Sequence, residues 1–463
     1  MYQLITIVAG GLNLILCLDQ VRQALKRLSF TFLIWLFATV FAMLAVIEGL
    51  IAPVYLSAGS RAFQIQPATV AKACAFMLLF NLLMAISAYY VRRPLGLSTR
   101  QTRVFSDCSF PRELKVLTTP ITLIFTVAAL IYLKRVAGYA IYSDRYRDGG
   151  SAWELVIMVA CWSAVSFAIV FRQKLALLYF ICAGAILTYA TGVRYFALFF
   201  IVPILVFYFL QGIANSQVGE KHKRAVARRY VVLSVAAVLV FAAFAQFVFH
   251  TRAEIRVDAD VSLRTHHIEE LWLLKGFYVI VDSYDNESEP FRFTNYRRML
   301  DGLMFPYYCM FDREHAYPLD PPVMFAHIVG NYDLNDTEHF QHWPMLLYAD
   351  AYAAFRFWGC LLGLFWGLTY TLLDYLLSKP SAFPFVFPYA MWFFYMTFRG
   401  AVSNSIVSIP REIYINGGLM CICYLAVWRK PQRMSALRVE GAVRLPVKRA
   451  RGARQFGGEV TWK

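Results

Sequence analysis

Long apolar runs separated by short polar breaks occupy almost the whole chain. They recur at about 2–17, 30–52, 69–91, 118–134, 153–171, 174–192, 194–211, 230–250, 346–376, 383–398 and 411–428. Crossing about 30 Å of hydrocarbon at roughly 1.5 Å per residue takes about 20 apolar residues, with every backbone polar group bonded internally. Each run therefore predicts a spanning helix, and the expected fold class is an all-α polytopic membrane protein of about 11 transmembrane helices. One stretch breaks the rhythm. Residues 251–343 are polar and aromatic-rich, and they predict a large outer loop folded as a cap over the mouth of the bundle. The chain then divides into helices 1–8 (1–250), the loop (251–343), helices 9–11 (344–428) and a tail (429–463).

Charge fixes the expected orientation. Lys and Arg accumulate on cytoplasmic loops. Segments 18–29, 92–117, 172–175, 212–229, 377–383 and 429–463 hold 27 of them, against 15 on the alternate side, where 8 lie in the long loop beside 16 Asp and Glu. Bias and span parity agree on an outer N-terminus and a cytoplasmic C-terminus.

Composition narrows the class further. At 59% hydrophobic, 17% aromatic and 16% charged residues the chain is too apolar for a soluble protein of two or three domains. Much of the net charge of +16 sits in the tail, which suits a topology anchor at an anionic leaflet rather than a nucleic-acid contact. Nine cysteines are scattered singly apart from Cys421 and Cys423, so neither a disulfide framework nor a zinc spacing follows, and no metal or cofactor is expected.

Chemistry-bearing residues gather on the outer side. Arg194, in TGVRYFALFF, occupies a short outer turn where a guanidinium fork can grip phosphate oxygens. FRGAVSNSIVSIPREIY carries Arg399 and Arg411 around a small polar stretch, which predicts irregular or re-entrant backbone lined by protein or water. The bland alternatives are a snorkelling arginine and an ordinary interfacial loop. Three arginines on the outer side suit a strongly anionic lipid headgroup such as a polyprenyl diphosphate, whose departure they would stabilise electrostatically. In EHFQHWPMLLYAD, His339 and His342 share one face if helical, with Asp350 two turns on. An imidazole of near-neutral pKa is the usual base for a hydroxyl nucleophile, though interfacial histidines are often only solvated.

The stretch 185–428 resembles the oligosaccharide repeat-unit polymerases of bacterial envelopes, the O-antigen polymerases and their exopolysaccharide relatives. The resemblance rests on the outer Arg of TGVRYFALFF, the long late loop, the segment HWPMLLYADAYAAFRFWGCLLG and the Arg-bearing loop after span ten. In it Pro344, Leu346, Leu347, Asp350, Tyr352 and Gly359 stand at the family's motif positions, with Asp for the usual Glu. It implies a multi-pass enzyme of the bacterial inner membrane that joins undecaprenyl-diphosphate-linked repeat units on the periplasmic face, without metal. Arg194, Arg399 or Arg411 would hold the diphosphate, and His339 or His342 would act as base. The implied companions are a chain-length regulator and a flippase. Two other classes stay open: another polyprenyl-phosphate-dependent glycosyltransferase or ligase, and a transporter of lipid-linked saccharide.

Overall fold

In the computed structural model the described residues are 1–51, 54–58, 61–97, 112–137, 164–191, 194–216, 269–286, 345–379 and 382–399, with isolated positions such as Tyr296 and Phe325. They are mostly helical: α1 (Tyr2–Arg27), α2 (Phe32–Ile51), α3 (Pro67–Arg92), α4 (Thr118–Ala137), α5 (Lys174–Thr191), α6 (Arg194–Ser216), α7 (Glu269–Asn286), α8 (Leu347–Phe355), α9 (Leu362–Leu377) and α10 (Phe383–Arg399). Among the described residues, five helical stretches are long and apolar enough to cross a membrane by length and composition alone: Tyr2–Arg27, Phe32–Leu50, Pro67–Arg92, Lys115–Lys134 and Leu347–Leu377, the last of them interrupted. Predicted spans eight and eleven, apart from isolated positions, lie outside the described residues.

The apolar runs explain the helices, and their ends explain the departures. Helix α1 runs ten residues past the predicted end at 17. There the polar turns are held by their own side chains, Gln23 Nε2 donating to Asp19 at 2.5 Å and Arg27 Nη2 to Gln23 at 3.0 Å. Leu28 closes α1 in the left-handed region (φ 59°), and the Ser29 N–H donates back to the Ala24 carbonyl at 3.0 Å. We call this α1–α2 corner the turn end of the bundle. Residues 53–68, expected as a plain loop, contain an antiparallel hairpin, β1 (Val54–Ala58) and β2 (Arg61–Ile65), in register Val54↔Ile65 to Ala58↔Arg61. It marks the opposite, hairpin end.

Helices α1, α2, α3 and α9 form the central packing unit. Gly363 and Gly367, one turn apart on α9, allow contact of backbone on backbone. A Cβ at either would run into a carbonyl oxygen of α3, that of Phe80 or of Met84.

The predicted ninth span, 346–376, is not one helix. A 3₁₀ turn at Arg356–Leu361 separates α8 from α9. Within it Gly359 lies against the Ala351 carbonyl, whereas a continuous helix would hold residues eight apart about 12 Å away. The direction of α8 follows from its neighbours. Tyr348 meets Phe80 at 5.4 Å, whereas Tyr352 meets Phe76 at 5.2 Å, one turn nearer the hairpin end. Thus α8 starts in mid-bundle and runs toward the hairpin end, and α9 then descends to the turn end. Seven consecutive residues of α8, Leu347 to Ala353, are buried.

Helix α7 comes from the long loop, and it lies beside the spans rather than over them. Phe277 meets Phe76 at 5.8 Å and Tyr352 at 6.1 Å, and Leu274 and Phe277 to Ile280 are fully buried. The loop thus sends one helix into the hairpin-end half of the bundle. The rest of the predicted cap falls almost wholly outside the described residues.

Candidate functional site

The two inserted helices bring polar groups together near the hairpin end. Thr69, in the first turn of α3, donates to Asp282 of α7 at 2.9 Å, and the Tyr284 hydroxyl donates to the Ala353 carbonyl of α8 at 2.5 Å. These bonds tie α7 to α3 and α8. Along them runs a row of cations and rings. The Lys72 ammonium sits over the Tyr352 ring at 5.9 Å, that ring touches Tyr284 at 6.1 Å, and the Arg356 guanidinium sits over Tyr284 at 5.3 Å. A ring face positions a cation, for about 0.5–2 kcal/mol, without cancelling its charge.

Arg356 carries a second mark. Its φ of 52° with ψ of −141° is rarely adopted by a side-chain-bearing residue. Phe355, Arg356, Phe357 and Trp358 are all exposed, with Trp358 at 75%.

Across α3, Glu48 at the hairpin end of α2 is buried. Among the described residues neither of its carboxylate oxygens closes a hydrogen bond, and neither does the buried Tyr278 hydroxyl that faces it. The Lys275 ammonium acts on the carboxylate at longer range, and Cys74 lies close by. A buried carboxylate with open lone pairs and a cation in range can take up or hold a proton.

Among the described residues, packed rings lie beneath this layer. Phe76, Phe80 and Trp366 pack in mid-bundle around a sealed hydrogen-bond chain: Tyr348 donates to Asn81 at 3.0 Å, and Asn81 donates to Asn13 at 2.9 Å. At the turn end a second polar group ties three elements. Ser29 Oγ donates to Asp374 at 2.7 Å and Arg92 Nη2 reaches Thr31 Oγ1 at 3.4 Å, beside a small cavity lined by Arg92, Thr31, Tyr370 and Thr371.

The residues singled out in the sequence fare unequally. Asp350 is fully buried on α8 and acts electrostatically on Tyr296, whose hydroxyl accepts a bond from Trp366 Nε1 at 3.1 Å. It shares no helix face with the histidines, because α8 begins only at Leu347 and Leu346 before it is extended (ψ 154°). His339, His342 and Arg411 lie outside the described residues. Arg194 is the first residue of α6 and Arg399 the last of α10. The far part of α6 reaches the turn end, where Phe209 meets Phe32 at 5.7 Å, so the Arg194 backbone lies about 22 Å toward the hairpin end. Phe398 meets Phe41 at 5.8 Å, so α10 ends near mid-bundle.

In the sequence Glu48 and Lys72 are single charges inside apolar runs. That was their signal, since a charge inside a span is costly and marks function. Arg356 had a comparable one, a cation inside a 31-residue apolar stretch with glycine three residues on. Lys275, Tyr278 and Tyr284 had none. Among the described residues no group of three or more His, Cys, Asp or Glu could hold a metal ion. Compared with protein-family models, curated proteins and solved structures, the chain gives no match.

Proposed function

We propose that this membrane protein is a glycosyltransferase that joins polyprenyl-diphosphate-linked oligosaccharide repeat units into a polysaccharide, working from the hairpin-end face. The observation that carries this reading is the placement of polar chemistry. Cations, a buried carboxylate and aromatic faces gather in the hairpin-end half, around two helices that do not cross the bundle. Among the described residues a packed aromatic layer lies beneath them. An anionic lipid headgroup engages the cations, aromatic faces take sugar rings, and the reaction needs no passage to the other end. The acceptor hydroxyl attacks the donor's anomeric carbon, its proton passes to a base, and the bond to the lipid diphosphate breaks with the electron pair leaving on oxygen. Arg194, Arg399 and Arg411 remain the sequence-derived candidates for holding that leaving group, and His342 or His339 for the base. The broken α8–α9 stretch favours one competitor, a transporter of the same lipid, because interrupted helices line transport sites.

Two variants test the residue assignments. Arg194→Ala should abolish extension of lipid-linked repeat units by the purified protein, more than 100-fold in rate, with expression and unfolding temperature unchanged. An Arg194→Ala protein that still extends chains would remove Arg194 from the site, and full activity in His342→Ala would remove His342 as the base and leave His339.

A further inference from the structure

Resting on that reading, we infer that the turn between α8 and α9 is the docking surface for the prenyl-diphosphate lipid, with Arg356 taking the diphosphate and the exposed rings beside it taking the prenyl tail. Arg356 was not among the arginines that the sequence singled out. Three independent observations converge on it.

The first is height. Tyr284, the ring beneath Arg356, lies two residues beyond Asp282, which is bonded to Thr69 in the first turn of α3. Helix α3 has 26 residues, about 39 Å, which exceeds the roughly 30 Å of hydrocarbon, so its ends reach headgroup depth. On this geometry the guanidinium matches the depth at which a lipid carries its phosphates.

The second is the pairing of charge with apolar surface. Phe355, Phe357, Trp358 and Leu361 are each 39–75% exposed within one turn of chain. The Phe357 ring stands at 6.0 Å from Phe76, seven residues further along α3 than Thr69. A cation at headgroup level with exposed rings and leucine beginning below it is complementary to an amphiphile with an anionic head and an unsaturated hydrocarbon tail. Lys72, on the same cation–ring row, brings a second positive charge to that head.

The third is backbone conformation. Arg356 holds a positive φ that glycine would adopt without cost, so the position retains a side chain at the expense of strain. A corner needed only to reverse the chain has no use for a guanidinium there.

A photoreactive farnesyl diphosphate carrying a benzophenone, added to the full-length protein in lipid nanodiscs, reads this surface directly. Labelling should concentrate on the peptide containing 355–361. It should fall at least ten-fold in Arg356→Gln and in Arg356→Gly. The glycine variant relaxes the backbone, so it separates lost binding from lost folding, and its unfolding temperature should match or exceed that of the unchanged protein. The matching farnesol probe, without phosphates, should label weakly and ignore both variants. Equal labelling in Arg356→Gly, labelling centred elsewhere, or displacement by phosphatidylglycerol as effective as by farnesyl diphosphate would each overturn the inference; the last would make the turn a general lipid contact. Labelling at 355–361 without any chain growth keeps the docking surface and removes the polymerase. Chain growth indifferent to Arg356 does the reverse.

Discussion

At the scale of single residues, the account turns on charges placed where lipid and protein would otherwise exclude them. Glu48 is buried with the Lys275 ammonium in range and the Tyr278 hydroxyl facing it, so the cation offsets part of what its burial costs. Removing one member of a fully buried pair costs about 3–5 kcal/mol, and because Lys275 is only half-buried the expected loss for Glu48→Ala is smaller, about 2 kcal/mol. Thermal unfolding in detergent should show that drop, and the double variant Glu48→Ala with Lys275→Met should recover most of it. If the single variant unfolds at the unchanged temperature, Glu48 and Lys275 are not coupled. Glu48 was visible in the sequence only as an oddity. Its neighbours Lys275 and Tyr278 lie more than 200 residues away on a segment whose polarity reads as a loop, and their proximity depends on long-range packing that no local pattern records.

At the scale of elements, apolar run length was a sound guide to four helices. Helices α2, α3, α4 and α5 fall within three residues of the expected ends. It failed where backbone geometry, not hydropathy, decides. The 346–376 run is about 46 Å long if helical, well beyond the hydrocarbon thickness, and that excess was the available sign of a break. What places the break is Gly359 packing on the Ala351 carbonyl, together with Gly363 and Gly367 packing on α3. Gly367→Ala forces a methyl group onto the Met84 carbonyl and should cost about 3 kcal/mol, the upper range for overpacking, because a backbone cannot swing aside. Leu364→Ala, at a more exposed position on the same helix, should cost far less. Equal unfolding temperatures for the two variants would contradict the close approach of α9 to α3. The candidate arginines were legible as residue types. Whether one helical face runs on to Asp350 was not, because α8 begins only at Leu347, after an extended Leu346.

At the scale of the whole molecule, the polar chemistry of the described residues divides into layers. The hairpin end holds the Lys72–Arg356 row and Glu48, mid-bundle holds packed rings with the sealed Asn13–Asn81–Tyr348 chain, and the turn end holds Ser29, Thr31, Arg92 and Asp374. A molecule arranged in this way suits work at one face better than passage from end to end. The most direct measurement is the length distribution of saccharide chains after the full-length protein, purified in detergent, is incubated with polyprenyl-diphosphate-linked repeat units and no nucleotide sugar. Detergent removes the two leaflets, so transport leaves no trace in this measurement. The account predicts products of two, three and more repeat units with release of the prenyl diphosphate. Repeat units recovered at their original length, from protein that remains folded, would contradict it.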